Sequence, residues 1–382
     1  MEYMLTEDQL AIKDLARTIA EEQILPVRAE LDETEEFPWP IIKHLGDTDM
    51  FRIFVPEEYE GIGGSCLDLC LVIEELSRVC AGTALCYAAS SLGTIPIVIA
   101  GSEEQKQKYL PDIASGTKLA AFGITEVDSG SDAGAMKTTA KKVDGGYLLN
   151  GTKQFISNGG EAEIYTVIAL TDKSKGPRGA SCLIVEKDTP GFSFGRKEKK
   201  LGIRANATRE LVFEDCFVPE ENLIGKEGHG FLITLRVFDQ SRPGIAAQAL
   251  GIAQGALDAS IEYARDRIQF GHPIFSIQAV QHMIADMATQ VEAARALTYA
   301  VARTYDAGKG SISKESAMAK VFASDVAMKV TTDAVQIFGG VGYTKDYPVE
   351  KMMRDAKITQ IYEGTNQVLR NTIGLELRKK RR

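Results

Sequence analysis

A single glutamate stands in a loop that opens the last predicted helix, within Ile361-Tyr362-Glu363-Gly364-Thr365-Asn366-Gln367. A carboxylate near a helix N-terminus is ordinarily an exposed side chain that the helix dipole stabilises. The alternative is a general base, whose pKa rises when an apolar ligand excludes water from it. Taken alone, this segment does not decide between the two interpretations.

A loop of small and polar residues follows the end of a predicted strand, in Phe122-Gly123-Ile124-Thr125-Glu126-Val127-Asp128-Ser129-Gly130-Ser131-Asp132-Ala133-Gly134. Glycines let the backbone come close to a ligand, so the loop is a candidate binding segment. It is not G-x-G-x-x-G between a strand and a helix, which argues against a dinucleotide-binding Rossmann motif. An ordinary exposed loop is the equal alternative.

Clustered glycines end a predicted helix in Gln336-Ile337-Phe338-Gly339-Gly340-Val341-Gly342-Tyr343. One glycine, Gly339, would serve as a left-handed helix cap. Three glycines in four positions exceed what a cap needs. They predict the close approach of a ligand or of a neighbouring chain.

Composition excludes several other classes of chemistry. The four histidines lack metal-ligand spacing and the six cysteines contain no C-x-x-C pair, so we expect no metal site. The net charge, 44 − 53 = −9, argues against nucleic-acid binding. The N-terminus lacks a secretory signal, and no apolar run is judged long enough to cross a bilayer, so we expect a cytoplasmic protein with reduced thiols and no membrane association.

Three blocks of elements must position these segments, since 382 residues correspond to two or three domains. Residues 1–117 follow a helical pattern, with capping boxes at Thr6 and Ser102 and a helix expected to end at Pro111. Residues 118–228 hold short β-branched and aromatic runs between glycine turns, which predict a small antiparallel barrel or sandwich. The runs are Thr138 to Val143, Tyr147 to Leu149, Ile164 to Leu170, Cys182 to Val185 and Leu211 to Phe213.

The third block, residues 229–382, is helical again. Three long Ala-rich stretches, at about 231–269, 277–307 and 313–338, have apolar stripes and short connections, as in an antiparallel bundle. A last helix is expected to run from Asn366 into the basic residues 378–382.

Taken together, these segments resemble the acyl-CoA dehydrogenase family over nearly the whole chain. The matching motifs, in order, are Phe122 to Asp132, Phe155-Ile156-Ser157-Asn158-Gly159-Gly160, Asp239-Gln240-Ser241-Arg242, Arg267-Ile268-Gln269-Phe270-Gly271, Gln278, Gln336 to Gly340, and Ile361 to Gln367. The resemblance implies an α+β fold with an N-terminal helical domain, a middle β-barrel and a C-terminal four-helix bundle. It also implies one FAD per subunit and a homotetramer.

The resemblance assigns the cofactor site to three groups of residues. The isoalloxazine ring would be held by Phe122, Ile124, Thr125, Ser131, Phe155 and Ser157. The diphosphate and adenosine would be bound, partly across a subunit interface, by Arg267, Phe270, Gln278, Gln336, Gly339 and Gly340. Thr365 and Gln367 would close over the cofactor. Many relatives have Trp where this chain has Phe155, which can pack against a flavin but offers no indole N–H.

The implied activity is α,β-dehydrogenation of a saturated acyl-CoA, contacted by Ser131, Asp239, Arg242 and Gly364. Glu363 would remove the α-proton while the β-hydrogen leaves as hydride to flavin N5, and the electrons would pass to an electron-transferring flavoprotein. Some branched- and long-chain members carry the glutamate at the position of Ser241, and the serine here supports Glu363 as the base.

A short or medium acyl group follows from the same comparison, with compact branched or cyclic groups also expected. The floor of the acyl pocket is expected near residues 87–93, where small side chains leave width. Three alternatives remain open: an enoyl-CoA reductase working in reverse, a flavin monooxygenase on the same fold, and a non-catalytic acyl-CoA-binding protein.

Overall fold

Six helices build the N-terminal region of the structure, a computed structural model that describes residues 3–308 and 310–379. They are α1 (Glu7–Ile19), α2 (Arg28–Thr34), α3 (Trp39–Asp47), α4 (Cys66–Val79), α5 (Ala81–Ala100) and α6 (Glu103–Ala114). Capping boxes at Thr6 and Ser102 begin α1 and α6, as predicted. The predicted end of α6 at Pro111 is wrong. The helix continues because Tyr109, Leu110 and Ile113 are buried, which offsets the hydrogen bond that proline removes.

Helix α5 is the central helix of this region. It has 20 residues with a mean hydropathy of 1.6, so the expectation that no run is long enough to cross a bilayer is wrong. However, 72% of the apolar 18-residue stretch of α5 is buried inside the molecule, where the helix packs against α4, α7 and β1. At Gly93 the helix touches β1 so closely that an added Cβ would lie 2.4 Å from the Ala121 nitrogen. This contact places α5 beside the loop that follows β1.

The middle region is one eight-stranded mixed sheet. Its strands are β1 (Ala120–Gly123), β2 (Thr139–Val143), β3 (Gly146–Ser157), β4 (Ile164–Leu170), β5 (Ala180–Glu186), β6 (Phe192–Lys197), β7 (Thr208–Pro219) and β8 (Leu223–Ile224). They pair in the order β6-β7-β3-β2-β4-β5-β8, with β1 added to β4. Strand β1 runs parallel to β4, with Ala120 opposite Ile164, so the expected purely antiparallel sheet is wrong. The difference arises because two strands, β2 and β3, intervene between them in sequence, which leaves room for a crossover.

Helices return in the C-terminal region. They are α7 (Gly230–Asp266), α8 (Gln278–Asp306), α9 (Ser313–Phe338), α10 (Val349–Thr359) and α11 (Asn366–Arg378), with a small hairpin of β9 (Ile268–Gln269) and β10 (His272–Pro273) before α8. The three long helices and the last helix are confirmed, whereas α10 was not predicted separately. Within the basic run, Lys380 to Arg382 lie outside the described residues.

The core crosses all three regions. One large apolar cluster joins α1, α4, α5, α7, α8, α9 and one face of the sheet, and a second lies between α5, α6 and β4–β5. The six cysteines are buried free thiols. The predicted order of a helical region, a sheet and a helical region is confirmed, and the cavity described next lies where the three meet.

Candidate active site

A cavity of about 550 Å³ opens between α5, the loop after β1, the end of β3, the start of α7 and the turn before α11. Its walls are mainly apolar, with Leu92, Phe231 and Phe238 among them. Within the stretch 87–93, where the acyl-pocket floor is predicted, Ala88, Ala89 and Leu92 line the cavity. The Tyr87 hydroxyl instead donates to the Met50 carbonyl at 2.9 Å, on the other side of α5.

Glu363 reaches this cavity from a left-handed turn between α10 and α11. Its φ is 51° and that of Gly364 is 96°. A left-handed conformation costs a non-glycine residue about 1–2 kcal/mol, so the surrounding structure must hold it. Two buried cations do so, since Arg242 Nε donates to the Glu363 carbonyl at 3.2 Å and Lys320 Nζ to the Gly364 carbonyl at 2.8 Å. The turn is therefore built to point one carboxylate in a fixed direction.

The Glu363 carboxyl accepts a hydrogen bond from Ser241 Oγ, at 2.5 Å from Oε2. Burial raises the pKa of Glu363, while the Ser241 hydroxyl and the charges of Arg242 and Lys320 lower it, and burial dominates. A carboxyl of raised pKa in an apolar cavity is a competent proton acceptor near neutral pH. This geometry favours the general-base interpretation over the exposed helix-end interpretation.

Helix α7 supplies the two side chains that contact Glu363. Ser241 and Arg242 are adjacent in α7 and both are buried. The Arg242 guanidinium lies 5.3 Å from the centre of the Phe238 ring, one helical turn earlier. Burial lowers the pKa of Arg242 and the nearby Glu363 raises it, so the cation is held by its neighbours rather than by water.

A buried ion pair holds both ends of the loop after β1. Lys153 Nζ lies 2.8 Å from Glu126 Oε1 and donates to the Ile124 carbonyl at 3.0 Å. The Glu126 carboxyl also accepts the backbone N–H groups of Lys137 and Thr138, at 2.6 and 3.0 Å. Burial lowers the pKa of Lys153 to about 8 against the opposing effect of Glu126. Between these anchors, Ser129 and Ser131 line the cavity.

The cavity brings together nine of the predicted site residues: Phe122, Ile124, Thr125, Ser131, Phe155, Ser157, Arg242, Glu363 and Gly364. Phe155 lines the cavity and is 59% exposed, with a φ of 58°, so its side chain is not packed into the core. Three other predicted residues do not line the cavity. Asp239 accepts hydrogen bonds from Ser311 and Ser313, the Thr365 hydroxyl caps α11, and Gln367 is exposed on α11.

The remaining predicted residues form a separate, exposed group around the hairpin and the ends of α8 and α9. They are Arg267, Phe270, Gln278, Gln336, Gly339 and Gly340. Phe270 is 88% exposed, and a Cβ added at Gly339 or Gly340 would meet nothing within 4 Å. Gly339 has a φ of 66°, a conformation that favours glycine, whereas no contact among the described residues explains Gly340. Gly342 is packed within the chain, since an added Cβ would lie 2.6 Å from the Phe338 Cβ. The approach of a ligand or a second chain to Gly339 and Gly340 stays a prediction.

Sequence reasoning missed Lys320, Lys153 and Gln248, whose side chains support the site from behind. The Tyr362 hydroxyl donates to Gln248 Oε1, which fixes the residue before Glu363. A usable indication existed for Lys320, since it falls on the small-residue face of α9 beside Ala317 and Ser324. A lysine at a core position of a helix is rarely accidental.

Three family models together match most of the chain. Residues 6–117 match "Acyl-CoA dehydrogenase, N-terminal domain", 121–216 match "Acyl-CoA dehydrogenase, middle domain" and 228–377 match "Acyl-CoA dehydrogenase, C-terminal domain". Among curated relatives, an "Acyl-CoA dehydrogenase" of Bacillus subtilis is 50% identical over 96% of this chain and 97% of its own. An "Acryloyl-CoA reductase (NADH)" of Anaerotignum propionicum is 47% identical over 100% and 97%.

Solved structures agree. Butyryl-CoA dehydrogenase from Megasphaera elsdenii superposes with a TM-score of 0.97 at 46% identity, over 99% of this chain and 100% of that one. A chain in a structure described as "Electron transferring flavoprotein of Acidaminococcus fermentans" has a TM-score of 0.97, 52% identity and complete coverage of both chains. The fold, the cavity and these matches together show that the chain belongs to the acyl-CoA dehydrogenase family of FAD-dependent oxidoreductases.

Proposed function

We propose that this enzyme oxidises a short or medium saturated acyl-CoA to the enoyl-CoA, with Glu363 as the base that removes the α-proton. The observation that carries the proposal is the half-buried Glu363 carboxyl, held by Ser241 on a left-handed turn at the wall of an apolar cavity. The named function of the Megasphaera elsdenii relative, a butyryl-CoA dehydrogenase, supports a short acyl group.

The residues present fit FAD as the cofactor. Phe122 and Phe155 offer apolar surface for a flat ring, and the hydroxyls of Thr125 and Ser157 offer polar contacts beside it. The open glycines at Gly339 and Gly340 leave space for a ligand that extends beyond one chain. FAD with its flat ring in the cavity would supply the two-electron acceptor that takes the β-hydrogen with its electron pair.

The protein's own contribution is to hold the base and exclude water. When the acyl chain fills the cavity, water leaves the carboxyl, which strengthens its basicity at the α-carbon. The substrate α-proton would pass to Glu363, and the backbone N–H of Glu363 would be available to polarise the thioester oxygen. One such donor is typically worth about 3 kcal/mol in the transition state.

The test is anaerobic mixing of the purified flavoprotein with a panel of acyl-CoA thioesters. We expect butyryl-CoA, isobutyryl-CoA or cyclohexanecarboxyl-CoA to bleach the flavin and yield the enoyl-CoA by mass spectrometry. An electron-transferring flavoprotein should then reoxidise it, as the Acidaminococcus fermentans match suggests. A flavoprotein that no saturated acyl-CoA bleaches would contradict the proposal.

A second candidate is enoyl-CoA reduction, the same reaction in the opposite direction. The 47% identical relative named acryloyl-CoA reductase favours it. Glu363 would then return a proton to the α-carbon, so the site residues do not discriminate. The measurement that does is the reduction potential of the flavoprotein with and without bound enoyl-CoA, together with product formation from an enoyl-CoA and a reduced electron-transferring flavoprotein.

A further inference from the structure

Lys320 is a buried lysine that binds the turn carrying Glu363. It lies in α9 with an exposed fraction of 0%. Its Nζ donates to the Gly364 carbonyl at 2.8 Å and to Asn366 Oδ1 at 3.0 Å. Lysines are almost never fully buried unless paired, because desolvating an ammonium group is costly. The Lys320 ammonium group therefore lies in contact with the turn that carries the proposed base.

The turn needs outside support because Glu363 and Gly364 are consecutive left-handed residues. Arg242 of α7 binds the carbonyl of the first, and Lys320 of α9 binds the carbonyl of the second. Asn366 relays the Lys320 contact further, since its amide donates to Ser324 Oγ and Asp325 Oδ1 at 2.9 and 2.8 Å. Two helices thus fix the direction of two successive peptide planes.

We propose that Lys320 is a positioning residue for the reaction, which holds the Glu363–Gly364 turn so that the carboxyl points into the cavity. This inference rests on the proposed role of Glu363. Lys320 makes no contact with substrate in this scheme. It acts through the backbone carbonyl that it binds and through its charge.

The charged groups around Lys320 are Glu363 on the turn, Arg242 on α7 and Asp325 on α9. Asp325 is already paired with Arg370 of α11, at 2.6 Å. Both cations lower the pKa of Glu363 against burial, so removing the charge of Lys320 raises it. Burial lowers the pKa of Lys320 itself to about 7, so its charge is present below that pH and is lost as the pH rises through it.

The experiment compares the holoenzyme variants K320M, K320Q and K320R by kcat, KM, FAD content and the pH profile of kcat/KM. In K320M we expect kcat to fall about 10- to 100-fold, since small misplacements of a catalytic group have that effect. FAD content should stay near that of the wild type. The acid limb should move up by about one pH unit, the low end of the effect of a nearby opposite charge. K320Q keeps a hydrogen-bond donor without the charge and should show the same shift in the acid limb.

K320R and K351M are the matched controls. Arginine keeps the charge, so K320R should restore the acid limb to the wild-type position while kcat stays below the wild-type value. Lys351 is also buried but pairs with Asp355 of α10, at 2.6 Å, and does not line the cavity. K351M should lower the melting temperature and leave the acid limb unchanged.

Wild-type kcat and an unshifted acid limb in K320M and K320Q would overturn the inference. A loss of kcat with an unshifted limb, matched by K351M, would also overturn it, since Lys320 would then be merely structural. E363Q separates this inference from the proposed function. If E363Q is inactive while the Lys320 variants behave as wild type, only the role of Lys320 fails. If E363Q is active, the proposed role of Glu363 fails with it.

Discussion

At the scale of single residues, the chemistry concentrates on one carboxyl whose environment opposes its ionisation. Burial raises the pKa of Glu363, and Ser241, Arg242 and Lys320 partly counter it. Because the hydroxyl of Ser241 stabilises the ionised form, it tunes the pH at which the base becomes available. By the family resemblance, some members carry the catalytic glutamate at the position of Ser241. In this chain that position instead donates a hydrogen bond to the proposed base, Glu363.

Ser241→Ala removes that donor and should raise the pKa of Glu363. Since the base must be deprotonated in the free enzyme, the acid limb of kcat/KM should move to higher pH. The plateau of kcat/KM above the acid limb should change by less than about tenfold. One hydrogen bond to a charged group is worth roughly 1.5–3 kcal/mol, and the charges of Arg242 and Lys320 still stabilise the carboxylate in the variant. An acid limb that moves to lower pH, or does not move, would show that the contact has no influence on Glu363.

The sequence identified the residues on the cavity wall better than those behind it. The family resemblance assigns Glu363, Arg242 and Ser131 to the site, and the structure brings them to one cavity. Lys320 and Lys153 were missed because each lies inside a regular element whose pattern predicts only packing. Asp239 was placed on the substrate by resemblance, but in the structure its carboxylate binds Ser311 and Ser313. Long-range partners of this kind are not visible in local spacing.

At the scale of elements, capping boxes and long apolar stripes were sufficient to predict the starts of α1 and α6, the three long C-terminal helices and α11, but not α10. Irregular strands were not predicted, since β6 alternates only at Phe192 and Phe194 before it becomes polar, and β8 has only two residues. Strand β1 contacts α5 as well as its parallel partner β4, and such tertiary contacts are not visible in the local sequence pattern.

Gly93→Ala tests the contact between α5 and β1. Its Cβ would lie 2.4 Å from the Ala121 nitrogen and 2.8 Å from the Ala120 carbonyl carbon, so helix and strand must separate. Overpacking of this kind costs typically about 1–3 kcal/mol of unfolding free energy. Gly374→Ala in α11 is the control, since nothing lies within 4 Å of its Cβ and alanine should stabilise that helix. Thermal unfolding that ranks the two variants in the opposite order would contradict this packing argument.

At the scale of the whole molecule, a single chain accounts for only part of the predicted site. Nine predicted residues line the cavity, while Arg267, Phe270, Gly339 and Gly340 are exposed. We propose that FAD and a second subunit cover this exposed group within a homotetramer. A ligand that binds only the assembled state stabilises it by mass action.

Arg267→Ala should therefore lose flavin and tetramer together, giving a smaller, colourless species by size-exclusion chromatography. Arg196→Ala, an exposed arginine on β6, is the matched control and should keep both. A coloured tetramer with full flavin content in Arg267→Ala would contradict the proposed coupling.

Substrate size belongs to the same scale, since helices from two regions bound the cavity. We expect short and compact acyl groups to be preferred, with overlapping activities, because one methylene changes the free energy of discrimination by only about 1–3 kcal/mol. A kcat/KM for palmitoyl-CoA above the sum of those for butyryl-, isobutyryl- and cyclohexanecarboxyl-CoA would show that the cavity accepts long chains instead.

The proposed role of Glu363, removal of the α-proton, is tested by Glu363→Gln. The variant keeps the shape of the side chain and removes its basicity. In anaerobic rapid mixing with butyryl-CoA, we expect FAD content and substrate affinity close to those of the wild type. The rate of flavin bleaching should fall by at least about 10²-fold, the low end for a general base. Bleaching at the wild-type rate in Glu363→Gln would show that Glu363 is not the base that removes the α-proton.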